Sequence, residues 1–257
     1  MHKTQLPLFN RGTILKKEML ENLRDYPRDF VDIYYKDMSN GIITGCHINI
    51  NDYEIIVNEG LVKHNDKIHF LNNKISIPYE NSNRETILKI RFLDEETDNN
   101  FLNYLSEICL NEDLNINENE LELCRFKLKE GAKLRENYID FFDLATEYNT
   151  VNILNVKHSG TCEETIRPKI IKMFSEMLLK SSSKEYEDLL FSMMSLNSKY
   201  LERNLILQYI DKKIGLEKKI YSNYDIYKAL LKICKNLKDG KKQENTNRQR
   251  PNIIIVD

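Results

Sequence analysis

The sequence has no tryptophan, 8 glycines and 5 prolines in 257 residues. So few glycines leave little room for the phosphate-cradling and dinucleotide loops, where the backbone must approach a ligand closely. No run approaches the 18 apolar residues of a membrane-spanning helix. The opening MHKTQLPLFNRG lacks the apolar core of a secretion signal, so none is expected. Neither sign of charge dominates: 38 Lys plus Arg stand against 40 Asp plus Glu, for a net charge of −2. That balance is not the basic footprint of a nucleic-acid binder. The 5 cysteines, at 46, 109, 124, 162 and 234, are odd in number and nowhere spaced as Cys-x-x-Cys. Reduced thiols in a cytosolic or cytosol-assembled protein are the natural expectation.

Chemistry-bearing motifs are also missing. The Gly240-Lys241 pair has neither the upstream glycine nor the Ser or Thr of a phosphate loop. No Gly-x-Ser-x-Gly and no Cys–His signature occurs. His64 and His69 sit in what read as adjacent strands with Asp66 between them, but their spacing is not that of a zinc site. His158 stands alone before Ser159-Gly160. The acidic run Asp94-Glu95-Glu96 reads as a solvated surface. No catalytic, cofactor-binding or metal-ligating residue is assigned, and the chain is not expected to be an enzyme.

What is present is organised by period. Over 13–37, Leu15, Met19 and Leu23 recur every four residues, with Thr13 as an expected N-cap. Pro27 then restarts the chain, so two helical pieces are expected, the second carrying Phe30, Val31 and Tyr34. Over 41–93 the period shortens to two, in Ile48/Ile50, Ile68/Phe70, Ile75/Ile77 and Leu88/Ile90/Phe92. Asn51-Asp52, Glu59-Gly60, Asn65-Asp66 and Asn72-Asn73 supply turns between them. That pattern predicts an antiparallel meander, with Pro78 at a strand end or sheet edge. A short helical run is expected around Phe101, Leu102, Leu105 and Ile108. A strand is expected over 119–129 with a phase break near Cys124, which suggests a β-bulge or a strand buried on both faces. A short helix over 138–147 and a strand over 151–154 follow.

From residue 161 the pattern is helical. Pro168 reads as a first-turn proline before Ile171, Phe174, Met177 and Leu178. Ser182/Glu185 and, more weakly, Ser222/Asp225 have the spacing of capping boxes. The first precedes Tyr186, Leu189, Met193, Leu196 and Tyr200; the second precedes Ile226, Leu230, Cys234 and Leu237. A small bundle of three amphipathic helices is expected.

Residues 241–251, KKQENTNRQRP, contain no aliphatic side chain and read as a disordered tether. It carries Ile253, Ile254, Ile255 and Val256, which either fold back as a strand on their own domain or dock on another subunit's sheet edge. These four residues are the candidate partner-binding site.

The run Asn10-Arg11-Gly12-Thr13-Ile14-Leu15-Lys16-Lys17-Glu18-Met19-Leu20, then Gly41-Ile42-Ile43-Thr44-Gly45, then Ile55-Ile56-Val57-Asn58-Glu59-Gly60-Leu61-Val62-Lys63 and Lys67-Ile68-His69-Phe70-Leu71, is similar to phage tail and baseplate-associated proteins. Residues 122–135 and 146–153 resemble a narrower group from clostridial prophages and contractile tail-like bacteriocins. Some members of that group carry a "DNA and RNA helicase" label, which the missing phosphate loop does not support. The resemblance covers about residues 10–155 and rests on structural motifs. It implies a baseplate or baseplate-periphery component in several symmetric copies, with other baseplate and tail subunits as partners. It further implies assembly in the bacterial cytoplasm and residence in the released tail or tail-like particle. An adaptor for a receptor-binding fibre is the alternative in the same class. A nucleic-acid-processing factor is the alternative in another, and the charge balance opposes it.

Together these readings predict an α+β protein. Residues 1–155 form a helix plus β-meander domain, 156–240 a helical domain, and 241–257 a flexible tail with an apolar end. No cofactor, nucleic acid or membrane insertion is expected.

Overall fold

The structure, a computed structural model, describes residues 3–181 and 185–248, with 238–248 described by backbone alone. The α+β class holds: among the described residues five helices accompany several short, mostly antiparallel sheets. Helix α1 (Lys17–Tyr34) precedes strands β1 (Gly41–Gly45), β2 (Ile48–Ile50), β3 (Glu54–Val57), β4 (Gly60–His64), β5 (Lys67–Leu71) and β6 (Ile75–Pro78). Then come β7 (Glu85–Phe92), β8 (Glu96–Thr97), β9 (Leu102–Asn103), β10 (Ser106–Asn111), β11 (Glu120–Lys127), β12 (Lys157–His158) and β13 (Thr165–Ile166). Helices α2 (Pro168–Lys180), α3 (Tyr186–Asn197), α4 (Arg203–Ile214) and α5 (Asn223–Arg248) complete the described chain.

The largest sheet has the order β13-β12-β1-β4-β5. Its β4–β5 hairpin turns on Asn65 and Asp66, both with positive φ (46° and 61°). That is the left-handed pair a two-residue hairpin turn needs, and Asn and Asp tolerate it best after glycine. The β1–β4 pairing explains two of the scarce glycines, Gly45 and Gly60, which lie opposite each other. A Cβ on Gly45 would collide with the Glu59 carbonyl, and one on Gly60 would stand 2.6 Å from the Cys46 nitrogen.

A second sheet, β10-β7-β11, is antiparallel, and its register shifts between Glu122 and Cys124. The phase break in the sequence is therefore a β-bulge. A third sheet, β2-β3-β6, ends at Pro78 on the edge strand β6, where a missing N–H costs no ladder bond.

Several local expectations differ from the structure. Residues 17–34 form one helix with Pro27 inside it. The helix lies on the surface, so water can reach the carbonyl that Pro27 leaves without a donor. Thr13 does not cap it. Its N–H bonds to the Asn10 carbonyl in a turn, and Lys16 is the N-cap. The segment around Phe101–Ile108 is strand, not helix: Asp98 caps a turn through the Asn100 and Phe101 N–H groups, and β10 pairs with β7 over six residues. Long-range pairing overrides the local period there. The helix expected at 138–147 shrinks to a 3-10 turn, Phe142–Ala145. The strand expected at 151–154 is reduced to isolated bridges, Arg125 with Asn152 and Arg135 with Thr150.

The segment after residue 155 enters the first sheet, because β12 runs parallel to β1 with Ile42 opposite His158. One hydrophobic cluster extends from Ile42 to Cys234. At its centre the Phe141 ring lies 5.5 Å from Phe174 and 5.0 Å from Tyr227. Phe174 continues to Phe191, which stacks on Tyr209 at 4.1 Å. The sequence pattern predicts three helices here; α4 is a fourth. At α5 the Ser222/Asp225 capping box is realised: Asp225 N–H donates to Ser222 Oγ, and Ser222 N–H to Asp225 Oδ2, each at 3.1 Å. The helical backbone of α5 includes residues 241–248, the first part of the expected tether. Its Lys, Gln and Glu residues are good helix formers, and Gly240 is the weak link. Ser182 and the Ile253–Val256 segment lie outside the described residues.

Candidate functional site

A functional site here could be a polar centre able to do chemistry or a surface able to hold a partner. Among the described residues, most buried polar side chains are engaged in holding the fold. One open cleft is lined by Lys63, His64, Glu120, Glu122, Arg203 and Asn223, among others. Lys63 Nζ donates to the carbonyls of Tyr35 (3.0 Å) and Lys36 (2.7 Å). Glu120 accepts from Lys89 at 2.8 Å and Arg91 at 3.1 Å. Glu122 accepts from Arg125. Arg203 donates to the carbonyls of Glu164 and Tyr221 and to Asn223. Each of these charges is spent on a neighbour, which leaves no poised acid–base pair among them.

The other cleft is lined by His47, His158, Arg167, Lys169 and Tyr200, with the end of α1. Arg167 is buried, and its Nη2 donates to the Cys46 carbonyl at 3.0 Å. Burial and the nearby Arg167 and Lys169 push His47 below its ordinary pKa. Burial pushes His158 down to about 4. These imidazoles are therefore neutral near pH 7. Arg167 Nη1 is buried and has no hydrogen-bond partner.

His64 and His69 do come together on β4 and β5, with ring centroids 6.5 Å apart. Phe92 separates their roles: it stacks on His64 at 4.0 Å and meets His69 at 4.7 Å. Burial drives His69 down to about 4. Among the described residues no three His, Cys, Asp or Glu side chains gather in a metal-holding group. Of the cysteines, Cys46, Cys124 and Cys234 are buried thiols, and burial raises Cys46 to about 11.

The surface is more informative. Helix α1 has no buried residue. Its polar side faces the body, where the Arg28 guanidinium sits 5.1 Å over the Tyr104 ring and bonds its hydroxyl. Its apolar side, with Leu20, Leu23, Tyr26, Phe30, Ile33 and Tyr34, faces solvent, each 48–73% exposed. Helix α3 is turned the same way. Tyr186, Leu189, Leu190, Met193 and Met194, at the spacing of one helical face, are 38–71% exposed. The face expected to enter the core thus points outward at Tyr186, Leu189 and Met193.

What α3 buries instead is Phe191 with Asp188, Ser192 and Ser195. Asp188 accepts from the Tyr209 hydroxyl at 2.7 Å and lies 2.8 Å from Lys213 Nζ. Ser192 donates to the Asp188 carbonyl at 2.7 Å, and Ser195 donates to Ser175. These partners satisfy polar groups that could otherwise not be buried. The sequence held the signal, since Asp188, Ser192 and Ser195 share a helical face, but only if Asp188 is recognised as the buried side. The four candidate anchor residues, Ile253, Ile254, Ile255 and Val256, cannot be placed on this surface because they lie outside the described residues.

No family model and no curated protein matches the chain. Among solved structures, a crystal structure of TssK matches with a TM-score of 0.43 and 10% identity, over 93% of this chain and 72% of that one. A chain of the TssK-TssF-TssG baseplate subcomplex of the type VI secretion system matches with a TM-score of 0.43 and 8% identity, over 92% of this chain and all of that one. A TM-score of 0.43 at such identity does not establish a shared fold.

Proposed function

We propose that this chain is a structural component of a contractile phage-tail-like particle, a baseplate or baseplate-periphery protein that links tail parts through protein–protein contacts. The observation that carries the reading is the outward turn of two apolar helix faces, on α1 and α3. A monomer rarely exposes more than a few hundred Å² of contiguous apolar surface, and larger patches mark binding sites. The resemblance of residues 10–155 to tail and baseplate-associated proteins supplies the kind of assembly. Most of the buried charges described above are tied to a structural partner, which suits a non-enzymatic role.

Ile253, Ile254, Ile255 and Val256 are a second candidate contact. A docked strand of four residues adds a few main-chain hydrogen bonds, worth about 1 kcal/mol each net. Ordering the segment offsets part of that gain, at about 1–2 kcal/mol per residue. Repetition in a multi-copy particle restores it through avidity.

The test is assembly in the producing cell. With the coding gene deleted, tail-like particles should be absent or lack their baseplates, and the wild-type gene should restore them. Intact, contractile particles without this chain would sink the proposal.

A further inference from the structure

The apolar face of α1 is written in a repeat. Met19, Leu23, Tyr26, Phe30 and Ile33 recur at alternating steps of four and three, the a/d seam of two heptads. Leu20, Pro27 and Tyr34 fall beside them at the e positions. The stripe is therefore wider than a two-stranded seam and suits a bundle of helices. We infer that this face is a self-association surface, on which α1 of one copy packs against α1 of other copies in a helical bundle.

Three observations commit the site to copies of the same chain. First, an a/d repeat is complementary to itself, since knobs of one helix fill holes formed by the same positions of another. Second, the area fits. Six side chains exposed by 48–73% leave roughly 700 Å² of mostly apolar surface, near the roughly 800 Å² that one partner gives to a standard interface. Third, the helix needs cover. It spans 18 residues with Pro27 inside and buries no residue. Such a helix is marginal alone in water and draws its stability from a packed face. The charged side chains Lys17, Arg24, Glu21 and Asp25 lie off the seam and pair within the helix, Lys17 with Glu21 at 3.2 Å and Arg24 with Asp25 at 2.6 Å. They place no like charges in the contact.

The inference does not rest on the tail-particle reading, because it concerns the purified chain. Sedimentation velocity of the full chain across a dilution series is the test. Wild type should show reversible association beyond the monomer. Leu23→Glu with Phe30→Glu should weaken it by at least about a hundredfold. Both positions are more than half exposed, so thermal stability of the body should not change. Ile33→Ala is the milder variant: it should weaken association less than the double change, with the thermal stability of the body preserved. A wild-type chain that stays monomeric at every concentration overturns the inference and assigns the stripe to a different protein. Association unaltered in both variants overturns it as well. In either event, particle assembly by the gene-deletion test is decided separately.

Discussion

Lys89 Nζ lies 2.8 Å from Glu120 Oε2 between β7 and β11, and the two side chains are 2% and 0% exposed. Burial opposes the charged form of Glu120, but bonds from Lys89, the Asn117 N–H and Arg91 together hold its carboxyl below the usual range. A buried pair of this kind adds little net stability, yet breaking it strands a charge. Lys89→Met should cost about 3–5 kcal/mol, read by urea unfolding. The double change Lys89→Met with Glu120→Leu should recover most of the loss. A single variant within about 0.5 kcal/mol of wild type would contradict the pair's burial.

His69 and His158 are both pushed down to about 4, chiefly by burial. In the unfolded chain they titrate near 6.5. As pH falls from about 6.5 toward 4, the unfolded state takes up protons that the native state refuses, so stability must decline. Thermal midpoints measured through that window should fall as pH falls. Replacing both, as His69→Gln with His158→Asn, should flatten the decline relative to the variant's own value at neutral pH. An unchanged slope would remove these histidines from the account.

Asp225 is held down to about 2, first by Lys218 and then by Ser222 at the start of α5. A depressed carboxyl stabilises the native state above its unfolded pKa, near 4, and that contribution is lost as pH falls toward 2. Asp225→Asn should therefore lower stability at neutral pH and make little difference near pH 2. An equal loss at both pH values would show that its charge is irrelevant.

The inverted seat of α3 can be tested through Asp188. Asp188→Ala leaves the Tyr209 hydroxyl and Lys213 without that acceptor in a buried site. A loss of about 3 kcal/mol is expected. By contrast, Met193→Glu on the outward face should change stability by less than about 0.5 kcal/mol. The reverse ranking in chemical denaturation would show that α3 faces the other way.

Much of the β-layer was legible because its signals are local. Asn65-Asp66 marks a turn that two positive φ values require. The phase change at Cys124 marks an extra residue opposite β7. Pro78 marks an edge, and Ser222 with Asp225 marks a helix start. What was not legible depends on distant partners. The pairing of β12 with β1 joins residues more than a hundred positions apart, and no period reports it. Residues 101–108 carry a helical spacing that β8 and β7 override by supplying backbone partners. For the candidate surface, the apolar stripes on α1 and α3 were readable as stripes. Their direction was not, because an apolar face is assumed to point inward until its opposite face is seen to have buried partners. Asp188 on Tyr209 is such a buried partner for α3, and for α1 the body-facing contact is the half-exposed Arg28 on Tyr104.

In a tail-like particle the apolar faces of α1 and α3 should be covered by other subunits. A density map of the purified particle, at a resolution that traces side chains, tests it most directly. This chain should lie at or beside the baseplate, with Leu23, Phe30, Leu189 and Met193 buried against neighbouring subunits. A map with the chain present but both faces open to solvent, or particles that lack the chain altogether, would contradict it.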